Sequence, residues 1–442
     1  MSRPSLLRAV GRAAPFRLIN RAGAAALPML LAAWYGRSQL TDLYGLLVAL
    51  FTLAGALLFA CFQDSALVPL VMDLDRRDRA RAVRFARALL GHTLLLASLL
   101  ATLIGAAVWL WFRHRVPPAF SGLLAPLVLG WGLYLPALAL RSLGSGLLAA
   151  RFGFLTDAVG GALGMTVTVT LAVIFHHRGL PAIPFALAAG EATAAAILLT
   201  ALARRGLLSW PCWDRPPELG RLIRLVSSEI GGAALVRVNP LVDQLVAQGL
   251  GVLGGGTILR LSGDLATTGT SLLGPLFLSV LLSHLSFVGG VGAGAGGDQR
   301  AFRRTVRRSL LVVVAALSAL ALGLFVARAP LVALVYGRGA MDRVGLQGIT
   351  EVLPFHLIGV PALGALMVLA RAHVSLGNSR ILIRMGACDA ALNLGLNLIL
   401  AGPLGLRGIA LATALVHTGI ALSFWFHLRR ARPAFILREQ RA

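Results

Sequence analysis

The sequence predicts an all-α integral membrane protein with about 12 transmembrane helices. Hydrophobic residues make up 57% of the 442 residues, charged residues make up only 13%, and the mean hydropathy is +0.82. Water-soluble globular domains contain fewer hydrophobic and more charged residues than this. The apolar residues run continuously instead of alternating with polar ones, which excludes a transmembrane β-barrel.

Twelve apolar stretches are predicted to be the membrane-spanning helices. They cover residues 22–36, 43–72, 88–112, 121–141, 155–175, 182–203, 225–247, 257–287, 309–328, 347–372, 384–402 and 408–428. A helix needs about 20 residues to cross the hydrocarbon core. The spans therefore use most of the chain and leave no room for a large soluble domain.

The basic residues predict the orientation of these spans. The chain has 41 basic and 17 acidic residues, and it contains no lysine, so every basic residue is an arginine. With the N-terminus placed inside, 31 arginines fall in inside segments and 8 in outside connections. Positive charge is retained on the cytoplasmic side, so both termini are predicted to be cytoplasmic. Because the arginines interrupt apolar runs and form no single basic face, no nucleic-acid partner is expected.

A weak internal repeat predicts two six-helix halves. Residues 78–90 and 298–311 are both arginine-rich linkers that lead into a helix, the first after the second span and the other after the eighth. Residues 204–219 contain Trp210-Pro211-Cys212-Trp213 and Pro216-Pro217, which cannot be continuous helix. The predicted organisation is an N-terminal lobe at 1–208, a cytoplasmic linker at 209–224 and a C-terminal lobe at 225–442.

Ionisable residues within spans are costly, by about 2.5 to 3.5 kcal/mol each at a helix centre, and are therefore candidate functional groups. The residues predicted to bind substrate are Asp42, Asp64, Arg237, Asp243, Arg260 and Asp264. Arg260 and Asp264 are four apart and so lie on one helix face. One interpretation makes them a mutually neutralising structural pair. The other makes Arg237 and Arg260 line a shared cavity for an anionic substrate, because the planar guanidinium suits phosphate oxygens.

Other polar residues are interpreted as structural. This group contains Asp157, Glu191, Glu351 and Asp389 near span ends, and the scattered His284, His356 and His373. A literal G-x-G-x-x-G at Gly292, Gly294 and Gly297 follows a membrane span and not a strand, so it is interpreted as a linker. Three distant cysteines, Cys61, Cys212 and Cys388, indicate neither a disulfide framework nor a metal site. No cofactor, metal or enzymatic activity is expected.

Three segments resemble the MurJ/MviN family of lipid II flippases, within the superfamily of multidrug, oligosaccharidyl-lipid and polysaccharide exporters. Residues 35–71 contain an aromatic-Gly, then Thr41-Asp42, then Ala66-Leu67-Val68-Pro69. Residues 331–378 contain a Tyr-Gly-x-Gly loop and a following Gly-x-Pro helix, and residues 405–413 also fit the family pattern. The chain departs from that pattern at residues 24–27 and 55–56, where alanine, glycine and leucine replace charged family residues.

This resemblance implies a fold, a function and a location. It implies two six-helix lobes around a central V-shaped cavity in the bacterial cytoplasmic membrane. The implied function is a flippase that moves a polyprenyl-diphosphate-linked saccharide, lipid II-like or an exopolysaccharide repeat unit, to the outer leaflet by alternating access. Arg237 and Arg260 would hold the diphosphate, and the acids would orient them or couple transport to H⁺, Na⁺ or the membrane potential. Enzymes of cell-envelope biosynthesis would be its protein partners.

Two alternative functions remain open at this point. A cation-coupled multidrug exporter of the same superfamily would have an acid-lined cavity, against which the intramembrane arginines argue. A polytopic glycosyltransferase or polymerase would need catalytic carboxylates on a sizeable outer loop. The outer connections of this sequence are too short for such a loop.

Overall fold

A computed structural model gives the fold of the chain. It describes residues 3–57, 67–114, 120–151, 153–208, 210–288, 299–376 and 380–430, and these residues contain α-helices but no β-strand. Eight of the described helices are long and apolar enough to cross a membrane. The prediction of an all-α membrane protein is therefore confirmed.

The helices are numbered in chain order. They are α1 (Arg3–Tyr35), α2 (Gln39–Gly55), α3 (Val68–Arg77), α4 (Arg79–Phe112), α5 (Ser121–Ala149), α6 (Phe154–Phe175), α7 (Ala182–Arg204), α8 (Pro217–Gly249), α9 (Gly255–Val288), α10 (Gln299–Val326), α11 (Arg328–Tyr336), α12 (Arg343–Ser375), α13 (Arg380–Leu404) and α14 (Leu406–Arg430). The described residues between α7 and α8 are not helical, as the tryptophan- and proline-rich sequence predicts. The Gly-rich segment Gly289–Gly297 lies outside the described residues.

The chain forms two compact units. The first contains residues 1–35 and 46–230, and the second contains residues 36–45 and 231–442. The start of α2 therefore belongs to the second unit, although it precedes most of the first unit in sequence. Helix α8 is divided between the units. Its residues up to Ile230 belong to the first unit, and its remainder belongs to the second.

The first unit is built on close packing of small residues. Its α7 packs against α5 and α6, and α1 packs against α6. A Cβ atom added at Gly164 of α6 would lie 2.6 Å from the carbonyl oxygen of Gly190 on α7. The sequence has Gly160-x-x-x-Gly164 at this place, and glycine lets the two backbones approach closely. Arg141 of α5 also donates two hydrogen bonds to Glu191 of α7, at 2.7 and 2.9 Å.

The second unit is built around α12, which packs against α9, α10 and α14. Its core includes buried residues from five helices: Leu285, Phe302, Val306, Val368, Leu369, Ala372, Ile381, Met385, Val416, Ile420 and Phe424. The start of α12 is fixed by Asp342, whose carboxylate accepts a hydrogen bond from the backbone N–H of Gly345 at 2.8 Å.

Candidate functional site

The turn before α2 is tied to the second unit by a bidentate ion pair. Arg37 donates to the two carboxylate oxygens of Asp342 at 2.8 and 2.9 Å, and to the carbonyl oxygen of Leu253 at 2.7 Å. The hydrogen bond from Arg37 holds the pKa of the Asp342 carboxyl below its usual range. Gly36 adopts φ of +55°, which favours glycine at this turn. These contacts place the first turn of α2 beside α9.

Asp42 caps the N-terminus of α9 from this position. Its Oδ1 accepts hydrogen bonds from the backbone N–H of Thr257 at 2.8 Å and from the Thr257 hydroxyl at 3.0 Å. Gln248 of α8 donates to the Asp42 carbonyl oxygen at 3.1 Å. A carboxylate at a helix N-terminus satisfies otherwise unpaired N–H groups and favours the helix dipole. Asp42 therefore holds the first turn of α9 at Thr257, three residues before Arg260.

Arg260 lies on α9 with unused hydrogen-bonding capacity. Its side chain is 16% exposed, and its nearest carboxylate contact is a 3.7 Å approach of a terminal guanidinium nitrogen to Asp264 Oδ2. Its Nε is buried and has no hydrogen-bond partner among the described residues. The prediction that Arg260 and Asp264 share one helix face is confirmed. The Asp264 side chain remains 46% exposed, so its contact with Arg260 does not bury it.

The side chain of Gln244 on α8 lies close to Gly45 of α2, as does the Arg260 side chain. A Cβ atom added at Gly45 of α2 would lie 3.1 Å from Gln244 Oε1 and 3.7 Å from Arg260 Nε. Gln244 Nε2 donates to the carbonyl oxygen of Gly256 at 3.1 Å, while its Oε1 is buried without a donor. We call Asp42, Gln244, Arg260 and Asp264 the arginine site. It combines a buried unpaired donor with a buried unpaired acceptor beside a glycine, and such groups need a polar partner.

A second polar group surrounds Asp243, the residue before Gln244. Asp243 Oδ1 accepts hydrogen bonds from the side-chain amides of Asn393 at 2.9 Å and Asn397 at 2.7 Å, and Oδ2 accepts one from Thr413 at 3.4 Å. Asn393 and Asn397 are 0% exposed. Both are on α13, and Thr413 is on α14.

The group around Asp243 contains a second carboxylate and several unpaired oxygens. Asp389 of α13 accepts a hydrogen bond from the Asn239 amide at 2.5 Å and is itself buried. The amide oxygens of Asn239, Asn393 and Asn397 are buried and accept no hydrogen bond from any described residue. We call these residues, with Asp243 and Thr413, the carboxylate–amide cluster. Two carboxylates and three unpaired amide oxygens form an oxygen-rich environment suited to a hard cation.

The structure describes five of the six residues predicted to bind substrate, and these five lie in different environments. Asp42, Arg260 and Asp264 belong to the arginine site, whereas Asp243 belongs to the carboxylate–amide cluster. Arg237 is exposed on α8, and it forms no ion pair within the part of the chain that the structure describes. Asp64 lies outside the described residues.

Five side chains of these two groups were missed by the sequence analysis. They are Asn239, Gln244, Asn393, Asn397 and Thr413. A signal for the asparagines does exist, because Asp389, Asn393 and Asn397 follow one another at intervals of four in an apolar helix and so share one face. Taken alone, Asp389 is interpreted as structural; taken with Asn393 and Asn397 it forms a polar face. Gln244 gives no such signal, since its neighbours on α2 and α9 are distant in sequence.

The described residues contain no group of three or more His, Cys, Asp or Glu side chains arranged to hold a metal ion. Cys212 and Cys388 are free thiols, and Cys61 lies outside the described residues.

Comparisons with known proteins concern the family and the fold of the chain. The family model described as lipid II flippase MurJ matches residues 31–441. A solved structure of lipid II flippase MurJ in an inward closed conformation is similar with a TM-score of 0.79 and 15% identity, over 96% of this chain and 87% of that chain. No curated protein matches this chain.

Solved structures of multidrug transporters share the fold as well. An inward-facing MATE family transporter of the MOP superfamily is similar with a TM-score of 0.70 and 14% identity, over 94% of this chain and 93% of that chain. A MATE transporter of Vibrio cholerae is similar with a TM-score of 0.62 and 16% identity, over 97% of both chains. At these identities the structural likenesses establish the fold alone. The family model covers nearly the whole chain, and on that evidence the protein is a multi-pass membrane protein that belongs to the MurJ lipid II flippase family.

Proposed function

We propose that this protein moves a polyprenyl-diphosphate-linked saccharide from the inner to the outer leaflet of the bacterial cytoplasmic membrane by alternating access. The observation that carries the proposal is Arg260, a largely buried arginine whose Nε has no partner and whose carboxylate contact is long. A guanidinium with unused donors in a membrane span favours an anionic ligand with planar oxygens, such as a phosphate. Membership of a lipid II flippase family supports a lipid-linked substrate.

The physical need for such a site follows from the substrate. A diphosphate cannot cross hydrocarbon without its charge being compensated, because an isolated charge there costs several kcal/mol or more. Arg260 would compensate part of the negative charge of the diphosphate within the membrane. Asp42 would act as a positioning residue, since it fixes the start of the helix that carries Arg260.

Arg237 is proposed as a second contact for the same head group. It precedes Gln244 by seven residues on α8, which places the two residues on the same helix face about 10 Å apart. Its exposure leaves it available to a ligand. Asp264, which is also exposed, would pair with Arg260 in the absence of substrate.

The carboxylate–amide cluster is proposed to bind the coupling cation. A Na⁺ ion would satisfy the three buried amide oxygens and neutralise part of the charge on Asp243 and Asp389. Protons are the alternative coupling ion, and they would bind the same carboxylates. Because Asp243 and Gln244 are consecutive on α8, a cation bound at one group would shift the helix that bears the other. Coupling requires that the cation and the substrate favour different states of this helix.

The lobes at 1–208 and 225–442, the linker at 209–224 and the cytoplasmic location of both termini remain part of the proposal. So do cell-envelope biosynthesis enzymes as partners, because a flippase must receive its substrate from the enzymes that build it. The protein is proposed to act as a transporter without catalysing a reaction. Membrane potential would add about 2.3 kcal/mol per charge moved per 100 mV.

The test is transport in proteoliposomes. A fluorescent polyprenyl-diphosphate oligosaccharide is added, and its arrival in the opposite leaflet is measured with a membrane-impermeant quencher. Arg260→Gln should reduce the initial rate at least about tenfold, which is the loss expected for a charge-assisted hydrogen bond. Arg343→Gln is the matched control, because Arg343 is exposed and outside the site. Equal rates for the wild type and Arg260→Gln would contradict the proposal.

A second candidate function is a cation-coupled multidrug exporter. The observation that favours it is the similarity to MATE transporters together with the two embedded carboxylates of the cluster. This function predicts efflux of cationic dyes driven by a Na⁺ or H⁺ gradient and no movement of the lipid-linked oligosaccharide. Dye efflux that survives Arg260→Gln would favour the exporter over the flippase.

A further inference from the structure

The first turns of α10 carry four arginines on one face. Arg303, Arg304, Arg307 and Arg308 are all exposed. They form two rows along the helix, 303 with 307 and 304 with 308. The members of each row are separated by about 6 Å along the helix axis. The arrangement is therefore two pairs of guanidinium groups, one helical turn apart.

The opposite face of this helical segment is held firmly by the protein. Phe302 and Val306 are 5% and 1% exposed and belong to the core of the second unit, with Leu369 and Phe424 among the other members. Two buried side chains one turn apart fix the rotation of the helix. The arginine face is consequently held in one orientation before any ligand binds.

These four arginines form no polar contact with the described part of the protein. None of them forms an ion pair or hydrogen bond with any residue that the structure describes. The corresponding segment of α4, which the internal repeat relates to α10, is different. There Arg79 donates to the carbonyl oxygen of Arg205, and Arg87 donates to the carbonyl oxygen of Trp210. Two arginines of the first repeat segment are thus used internally, whereas Arg303, Arg304, Arg307 and Arg308 of the second make no such contact with a described residue.

The arginine face continues into an apolar face that is exposed at membrane depth. Leu311 and Val312 follow Arg307 and Arg308 by four residues on the same two rows, and they are 62% and 54% exposed. The rows continue through the exposed residues 315 and 316, which are alanines. The helix has 28 residues, so it is about 42 Å long, whereas the hydrocarbon core is about 30 Å thick. The arginine-bearing end therefore lies in the headgroup layer, on the side predicted to be cytoplasmic.

We infer that Arg303, Arg304, Arg307 and Arg308 form a binding site for the headgroup of an anionic phospholipid, with its acyl chains along the Leu311–Val312 face. Arginine binds phosphate oxygens through its planar donors, and clustered arginines beside a membrane helix attract anionic lipids. The apolar face directly beyond the arginines favours a lipid over a soluble acidic partner, because it offers a surface for the chains. This site is separate from the arginine site and does not depend on the transported substrate.

The test compares lipid binding by the full-length protein in a non-ionic detergent. Native mass spectrometry counts the phosphatidylglycerol and phosphatidylcholine molecules retained at equal lipid concentrations. The variants are Arg303→Gln with Arg307→Gln, and a quadruple variant in which all four arginines become Gln. The matched control is Arg338→Gln with Arg343→Gln, which removes two exposed arginines predicted to face the opposite side. A quadruple lysine variant keeps the charge, and thermal unfolding checks the fold of each protein.

The wild type is expected to retain phosphatidylglycerol in preference to phosphatidylcholine. The affinity should fall about fivefold for each arginine removed, corresponding to about 1 kcal/mol per residue near an anionic surface. The lysine variant and the Arg338/Arg343 control should keep most of the preference. Equal retention by the wild type and the quadruple glutamine variant would overturn the inference, as would an equal loss in the control. Competition by polyglutamate, without any preference between the two lipids, would assign the face to an acidic protein segment instead and would also overturn it.

Discussion

Asp243 and Gln244 are adjacent in α8, yet their side chains contact different helices. Asp243 accepts hydrogen bonds from Asn393 and Asn397 of α13, whereas Gln244 lies beside Gly45 of α2 and donates to Gly256 in the first turn of α9. Consecutive residues of a helix point about 100° apart, so one helix can serve two polar groups at the same depth. Two consecutive residues of α8 therefore connect the proposed cation site with the proposed anion site.

The cation proposal predicts a ligand-dependent stability. Adding Na⁺ in place of choline should raise the thermal unfolding temperature of the detergent-solubilised protein, because a ligand that binds only the folded state stabilises it by about 2.7 kcal/mol at 100 times its Kd. Asp243→Asn should abolish this rise, since it removes the carboxylate at the centre of the cluster. Glu351→Gln is the control, because it removes a carboxylate that pairs with Arg407 outside the cluster. A Na⁺-induced rise of equal size in Asp243→Asn would exclude the cluster as the binding site.

Gly45→Ala should impair transport while the protein remains folded. The new methyl group would lie 3.1 Å from Gln244 Oε1 and 3.7 Å from Arg260 Nε. It would fill the space in which a ligand reaches both atoms, and the transport rate should fall by at least about tenfold if one charge-assisted contact is lost. Gly395→Ala is the matched control, because no atom lies within 4 Å of the added Cβ at that helical glycine. Unchanged transport by Gly45→Ala would argue against ligand binding at this place.

The Arg37–Asp342 ion pair predicts a pH-dependent contribution to stability. Since the hydrogen bond from Arg37 lowers the folded-state pKa of Asp342, the folded state binds fewer protons on this group than the unfolded state. The stabilisation is present above the unfolded-state pKa of about 3.9 and is lost as the pH falls through the lower folded-state value. Because the Asp342 side chain is 48% exposed, solvent screening keeps the effect modest.

Thermal unfolding measured against pH checks this sign. The difference in unfolding temperature between the wild type and Asp342→Asn should be constant near neutral pH and shrink below about pH 4. A difference that grows on acidification would contradict the assigned direction of the pKa shift.

Gly164→Ala should destabilise the first unit without touching the proposed binding groups. Its Cβ would lie 2.6 Å from the carbonyl oxygen of Gly190, so α6 and α7 would have to separate. Overpacking of this kind costs about 1 to 3 kcal/mol. Gly132→Ala on α5 has no atom within 4 Å of its Cβ and should be tolerated. Equal unfolding temperatures for the two variants would show that the helices are not in close contact at Gly164.

Sequence patterns were sufficient to identify Arg260 and Asp264 as a pair, because residues four apart in a helix necessarily share a face. They were also sufficient to mark Asp42 as unusual, since a carboxylate in an apolar helix needs a partner. They could not assign its partner, because Thr257 is more than 200 residues away in the chain. For the same reason the sequence analysis grouped Asp243 with the arginines, whereas its hydrogen bonds connect it to α13 and α14.

The sequence by itself determined that this protein is a helical membrane protein, and its arginine distribution and family resemblance predicted the orientation and the class of substrate. Those conclusions depend on composition and on local periodicity, which every helix carries in its own residues. Only the tertiary structure decided that Asp42 caps α9, that the amides of Asn393 and Asn397 bind Asp243, and that Arg303, Arg304, Arg307 and Arg308 of α10 form no ion pair with a described residue. Each of these depends on which distant helices pack together, and in a chain of uniformly apolar helices that choice is made by close backbone contacts and a few polar side chains.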